Sequence, residues 1–336
     1  MKLDAALPPA NLGTVAEIAR AAEAIGFAAL WTTETQHDPF LPHALIAEHT
    51  SKLQSGTAVA IAFARSPANL AYTAWDLAQV SGGRFILGLG TQVKAHIERR
   101  FGMPWPESVT GKLREQIQAI RAFWDCWQNG TPLNFRGEHY KLTLMSPFFH
   151  PGPIDHPHIP IYIAGVNTGL AHLAGEMGEG FHAHPFHTPR YLSEVVLPAI
   201  EQGAEKAGRR RADVTVSASI FAAADEGQRE FCRQQISFYA STPSYRPVME
   251  LHGWGEIAAQ LSGLASRGQW GGMPPLISDV MLEEFCIQAD EGKLAEAIHE
   301  RYASLVDRVT LYMPFVPGSL GQFWKALVDY FNKSGE

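Results

Sequence analysis

The chain reads as a single (β/α)8 barrel of the α/β class (a TIM barrel). Two observations predict this. Short apolar strands alternate with amphipathic helices about eight times, and no change of composition between them marks a linker. The length of 336 residues suits one barrel with insertions, expected after the strand-four region and after strand seven. A doubly wound open sheet is the alternative. The composition, 46% hydrophobic and 18% charged, describes a globular chain with a large core.

The elements follow in order. Residues 2–7 (KLDAAL) read as strand one, and Thr14 to Glu17 as a capping box opening a helix that stops at Gly26. FAALWTT (27–33) is strand two, nearly all apolar, as a parallel strand buried on both faces requires. A polar loop, 34–42, leads to a helix around 43–51. GTAVAIAFA (56–64) is strand three. Ser66-Pro67 caps the next helix, which ends at Gly82-Gly83. RFILGLG (84–90) is strand four. An amphipathic helix over 112–128 carries Ile117, Ile120, Phe123, Trp124 and Trp127 on one side, and 134–143 reads as a small hairpin.

Strand five and its exit, IPIYIAGVNTGLAHLAGEMGEGF (159–181), form the most informative stretch. The chain passes from Ile159, Ile161 and Ile163 through Ala164-Gly165 into a helix near Asn167-Thr168. Backbone N–H groups at a helix start lack intrahelical partners, and the helix dipole favours an anion there, so the turn suits a phosphate. An ordinary loop with an Asn or Thr cap fits the same letters. Strand six (180–184) precedes a cap at Thr188-Pro189 and a helix over 191–207, and 214–222 is strand seven. Residues 223–292, helical but broken by Pro243, Pro247, Gly253 and Pro274-Pro275, form an insertion. A helix over 293–304, strand eight (308–313) and a last helix (321–331) complete one domain, 1–336.

The bulk numbers limit the function classes. A net charge of −7 and a pI near 6.1 argue against nucleic acid or an anionic membrane as partner, leaving a small-molecule substrate. Cys126, Cys232 and Cys286 are odd in number and in no metal-like spacing, which suits buried thiols in a reducing, cytoplasmic setting. The N-terminus lacks the apolar core of a signal peptide, and the longest apolar run, 58–64, is far below the ~20 residues of a membrane helix.

Barrel chemistry sits at the C-terminal strand ends. Glu34 and His37 after strand two can orient a ligand or move a proton, although a solvated loop with a helix-capping Asp38 reads equally well. His182 and His184 share a face of strand six. No carboxylate at the end of strand eight completes a metal set, so no metal is expected and a proton-handling His184 is preferred. GLGTQ (88–92) lacks the third glycine of a dinucleotide fingerprint. Lys94, Arg99, Arg100 and Arg65 form a solvated face or a clamp for an anionic tail.

FAALWTTE, GTAVAIAFARSPANLAYTAWDLAQVSGGRFILGLGTQ, HIPIYIAGVNTGLAHLAGEMGEGF and DRVTLYMPF, in this order, resemble the bacterial luciferase-like family, in particular its branch using the deazaflavin coenzyme F420. The resemblance spans nearly the whole chain. It implies an F420-dependent oxidoreductase, usually a homodimer, with 223–292 folded over the active site. It also implies a non-prolyl cis peptide at Ala58–Val59 backing the deazaflavin ring, and a phosphate turn at Gly165, Val166, Asn167 and Thr168. Ala58, Val59, Ala60 and Gln92 complete the expected cofactor-binding set, with Glu34, His37 and His184 as catalytic candidates. Tyr245, Trp254, Trp270 and Phe285 are expected to shape the substrate pocket. The sugar-phosphate dehydrogenases of that branch carry an acidic residue and a histidine after strand two and a glutamate after strand four. Here the positions read Glu34-Thr35 and Gln92-Val93, so sugar-phosphate oxidation is not expected, and His37, His96 or His184 remain as substitutes. The alternatives are an FMN-dependent monooxygenase of the same family and a flavin-binding protein without turnover.

Overall fold

In the computed structural model, which describes residues 1–9 and 11–333, the barrel strands are β1 (Lys2–Ala6), β2 (Ala29–Thr32), β3 (Gln54–Thr57), β4 (Phe85–Gly90), β5 (Ile161–Gly165), β6 (Gly180–Ala183), β7 (Thr215–Ala223) and β8 (Arg308–Leu311). Their order in the sheet is their order in the chain, and β7–β8–β1 returns to the start, so the sheet is a closed parallel (β/α)8 barrel. By chain contacts it comprises two compact units, Leu7–Ala24 with Ala29–Ala164, and Met1–Ala6 with Ile25–Ala28 and Gly165–Glu336. Among the described residues no helix is long and apolar enough to cross a membrane.

In the unit containing β2, β3 and β4, Ala29 lies opposite Gln54 and Gly56 opposite Ile86. Every residue of β4 is buried. Trp31, Ile86 and Tyr162 fill its interior. Gly56 makes the space, since a Cβ there would stand 2.6 Å from the Trp31 ring and 2.5 Å from the Ile86 carbonyl oxygen. Outside the strands run α1 (Leu12–Ile25), α2 (Leu41–His49), α3 (Pro67–Ser81) and α4 (Val109–Asn129). Ser66 caps α3 by accepting the Asn69 N–H, Pro67 takes the first position, where its missing N–H is not needed, and Gly82 ends the helix at φ 62°. The apolar stripe of α4 packs Trp127 against Tyr72 and Trp75, with ring centroids 4.5 and 5.5 Å apart.

In the other unit, Asp4 of β1 and Arg308 of β8 form a buried two-point ion pair at 2.7 and 2.8 Å. Helices α5 (Thr168–Met177) and α6 (Leu197–Lys206) touch backbone to backbone through two glycines. A Cβ on Gly175 would lie 2.0 Å from the Ile200 carbonyl oxygen, and one on Gly203 would lie 1.9 Å from that of His172. The insertion carries α7 (Glu226–Ala240) and shorter helices over Arg246–Leu251, Gly255–Ser266 and Asp279–Phe285. The last helix, α8 (Gly321–Lys333), buries Phe323, Trp324, Leu327, Val328 and Phe331.

Several expected elements differ. The first helix begins at Leu12, so Thr14 lies inside it and donates its hydroxyl to the Asn11 carbonyl, and no capping box forms. Strand three does not run to Ala64. It stops at Thr57, passes a cis peptide at Ala58–Val59, pairs again at Ala60–Ile61 and turns at Ala62–Ala64. The helix after Thr188 begins at Pro189 and contains a wide turn over Leu192–Val196, next to Pro198, whose ring removes an intrahelical donor. The hairpin shrinks to Phe135–Arg136 against Lys141–Leu142. Cys286–Gln288, inside the insertion, adds a parallel strand beside β7.

Overpacking between α5 and α6 is testable. Gly203→Ala is expected to lower the unfolding free energy by about 3 kcal/mol, read from urea denaturation, while Gly208→Ala, which meets nothing within 4 Å but sits at φ 67°, serves as the backbone control.

Candidate active site

The residues following β2 and β3 are organised around one carboxylate. Glu34 Oε2 accepts the Ile61 N–H at 2.6 Å and Arg65 Nη1 at 2.6 Å, with the Glu34 side chain 6% exposed. The Glu34 N–H reaches the Val59 carbonyl at 3.3 Å. Glu34 therefore clamps the chain on both sides of the irregular segment after β3. Arg65 also reaches Asp38 Oδ2 at 3.3 Å and lies over the Phe40 ring. Asp38 in turn accepts the Phe40 and Leu41 N–H groups at the start of α2, whose N-cap position is Phe40. His37 is exposed.

Buried Gln116 of α4 supports the same segment by donating to the carbonyls of Ala62 and Arg65 at 2.8 and 3.0 Å. Ala58 is half-buried, Val59 is half-buried and Ala60 is fully buried. Gly90 faces this bulge, since a Cβ there would stand 2.5 Å from Val59 Cγ2. Gln92 adopts a left-handed φ of 60°, and its side-chain oxygen accepts the Val93 N–H at 2.9 Å. The basic run falls on a short helix, Lys94–Arg99. Lys94 lies 3.8 Å from Glu98, and Arg100 donates to the Thr35 carbonyl at 2.8 Å.

In the other unit, β5 ends at Gly165 and α5 begins at Thr168. A Cβ on Gly165 would lie 2.8 Å from Leu170 Cβ, so a residue without a side chain permits the tight return. Val166 is buried and Thr168 exposed. Asn167 occupies the cap position, yet its side chain does not cap. Its amide nitrogen donates to the Ser244 carbonyl at 2.8 Å, and its Oδ1 is buried with no hydrogen-bond partner. The first-turn N–H groups of α5 are thus not taken by that side chain.

His184 follows β6. Its Nδ1 accepts the Phe186 N–H at 3.1 Å, so the ring proton of the neutral form sits on Nε2. Its ring lies 4.7 Å from that of Tyr239 and 4.6 Å from that of Tyr245. Burial pushes the His184 pKa down to about 3, and the neighbouring His187 adds to the shift. His184 is a neutral donor, not an imidazolium acid. His187 is itself lowered to about 4, mainly by burial. Phe285 stacks on Phe186 at 4.7 Å and Trp254 lies 6.3 Å from Phe285, whereas Trp270 is 52% exposed and packs on Phe238.

The sequence did not single out Tyr239, Gln235 or the hydroxyl of Tyr312. Tyr239 and Tyr312 meet hydroxyl to hydroxyl at 2.6 Å, and Tyr312 reaches Gln235 Oε1 at 3.3 Å. Position was the available signal, because Tyr312 is the first residue past β8, at the ligand end of a barrel strand. Among the described residues one group has metal-like spacing, Glu115, Glu138 and His139. The Glu115 carboxylate there already accepts the N–H groups of Glu138, His139 and Tyr140.

The cis-peptide bulge after β3 and the turn into α5 each lie past the C-terminal end of a barrel strand, the end at which (β/α)8 barrels place their chemistry. A family model for luciferase-like monooxygenases matches residues 2–308, and the chain belongs to that family. An uncharacterized protein of Mycobacterium tuberculosis is 43% identical over 92% of each chain. A 5,10-methylenetetrahydromethanopterin reductase of Archaeoglobus fulgidus is 28% identical over 88% of each. The solved coenzyme F420 dependent tetrahydromethanopterin reductase from Methanopyrus kandleri superposes with a TM-score of 0.80 at 22% identity, covering 100% of this chain and 99% of that one.

Two outcomes test this geometry. Glu34→Ala leaves the Ile61 N–H and Arg65 without their acceptor and is expected to cost about 3 kcal/mol in urea denaturation. Buried His43, lowered to about 3 by desolvation, acts with His187 on acid stability. Their folded pKa values lie below the unfolded value near 6.5, so the stability they confer is complete above pH ~6.5 and is lost as pH falls towards 3–4. His43→Asn should flatten the slope of stability against pH by about 1.4 kcal/mol per unit within that window.

Proposed function

We propose that the chain is an F420-dependent oxidoreductase that moves a hydride between the deazaflavin and a small organic substrate. One observation carries the reading: the turn from β5 into α5, where the cap residue Asn167 is drawn onto Ser244 and leaves the helix N-terminus to a ligand. An anion is the fitting guest, because N–H dipoles and the helix dipole both favour negative charge there. The unpartnered Asn167 Oδ1 is a further acceptor for a ligand hydroxyl. The names of the reductases similar to this chain support F420 as the group concerned.

On this reading Gly165, Val166, Asn167 and Thr168 hold the cofactor phosphate through backbone N–H groups. Ala58, Val59 and Ala60 back the ring, held by the Glu34 and Gln116 hydrogen bonds, and Gln92 lies on the loop after β4. When bound, a deazaflavin supplies a carbon that accepts or releases hydride. Glu34, with an oxygen committed to Ile61 and Arg65, orients the bulge and does not deliver a proton. His184 donates a hydrogen bond from Nε2 and stays neutral throughout the physiological range.

Equilibrium titration checks the reading. Purified protein is expected to quench F420 fluorescence on binding and to hold FMN at least tenfold more weakly, whereas tighter FMN binding would favour the monooxygenase chemistry in the family's name. Gly165→Val, which drives a branched side chain into Leu170, should weaken F420 binding at least tenfold, and unchanged affinity would remove the phosphate assignment.

A further inference from the structure

A run of uncharged polar groups lies past the ends of three strands in the unit containing β6, β7 and β8. Tyr312 follows β8 directly, its N–H bonded to the Ile220 carbonyl of β7 at 2.8 Å. Tyr239, in the last turn of α7, meets it hydroxyl to hydroxyl at 2.6 Å, and Gln235, one turn back on α7, stands 3.3 Å from the Tyr312 oxygen. His184 sets its ring edge-on to Tyr239, and Tyr245 lies beside both at 4.6 and 6.4 Å. Gln235, Tyr239, Tyr245, Tyr312 and His184 are all half-buried. Together they form a half-buried aromatic wall that carries polar atoms among its rings.

The charge of this wall limits what it can receive. The ionisable groups that act on Tyr239 and Tyr312 are each other, Tyr245 and Cys232, and the group that acts on His184 is His187. Among the described residues no guanidinium or ammonium contacts the two phenols. A phosphate or carboxylate would find no counter-charge, whereas a neutral oxygen acceptor on a flat apolar body finds hydroxyl donors and ring faces. Burial raises both phenols above the ordinary tyrosine range, so they remain protonated donors at neutral pH.

We propose that the Tyr239–Tyr312 hydroxyl pair is the proton donor of the reaction, and that the substrate is an uncharged aryl ketone whose carbonyl oxygen the pair receives. This rests on the hydride-transfer reading above. The carbonyl carbon would take a hydride, with both electrons, from a reduced deazaflavin bound at the site. The carbonyl π bond opens, its oxygen takes a proton from one phenol, and that phenol regains a proton from its partner and then from solvent. The product is a secondary alcohol, and the oxidised deazaflavin leaves. Two hydroxyls in series act as one relay, so removing either should cost about as much as removing both.

The structural alternative is that the hydroxyl bond merely stitches α7 to β8. Isotope-edited infrared spectroscopy of carbonyl-13C acetophenone bound to the cofactor-free protein separates the two. In the wild type the carbonyl band should lie below its position in an apolar solvent. It should move back up in Tyr239→Phe and in Tyr312→Phe, and no further in the double variant. With reduced F420 each variant should lose at least 100-fold in kcat with KM within threefold. Circular dichroism and Tm identify a variant that fails to fold, and the other single variant is then decisive. An unmoved band with the probe still bound, multiplying effects in the double variant, or no acetophenone binding to the wild type would overturn the proposal. The F420 titration is read separately. A wild type that binds acetophenone with a shifted band but not F420 removes the cofactor reading and the proton-donor role, and leaves the carbonyl site.

Discussion

An irregular stretch of backbone inside a parallel sheet must find partners for the amides it takes out of the ladder, and much of this structure follows from how that is met after β3. The strand leaves register at Thr57, and the Ile61 N–H is taken by Glu34 instead of a neighbouring strand. Arg65 neutralises the same carboxylate, Gln116 takes two carbonyls from α4, and Gly90 gives Val59 its space. Four residues, Glu34, Arg65, Gly90 and Gln116, are committed to holding a few backbone atoms in place. That commitment gives the carboxylate after β2 a structural task, since it holds the backbone on which pairing resumes at Ala60–Ile61.

The electrostatics of the chain are consistent with ligand binding without many cations. Net charge is −7, yet the turn after β5 offers an anion backbone N–H groups, and these do not depend on side-chain charge. The histidines at the strand ends do not add positive charge either, because burial keeps His184 and His187 neutral. What remains beside them is a wall of phenols, an imidazole N–H and aromatic rings, suited to hydrogen-bonding a neutral molecule.

The fold was legible because its signals are local and repeated. Strand four is apolar at every position other than glycine, as burial on both faces requires, and Ser66-Pro67 with Gly82 marks the limits of α3 at both ends. The turn from β5 into α5 was legible for the same reason, since Gly165 and Asn167 sit at a strand-to-helix change of period. The misplaced elements share a cause. Thr14 reads as a cap by spacing, but the chain had already turned at Asn11. The run 56–64 has the letters of one strand, and its apolar continuity carries no sign of the break that Glu34 and Arg65 support from elsewhere.

The sequence by itself determined the barrel, the order of its strands and the turn from β5 into α5, because periodicity, caps and glycines act over a few residues. Only the tertiary structure decided the roles of individual side chains. It drew Asn167 onto Ser244, set Glu34 against the Ile61 N–H and Arg65, and left His37 in solvent. It also joined Tyr239 to Tyr312, separated by 73 positions. Such pairings depend on which hydrogen-bonding groups folding leaves unmatched and which side chains come within 3 Å of them, and no local pattern of residues encodes that.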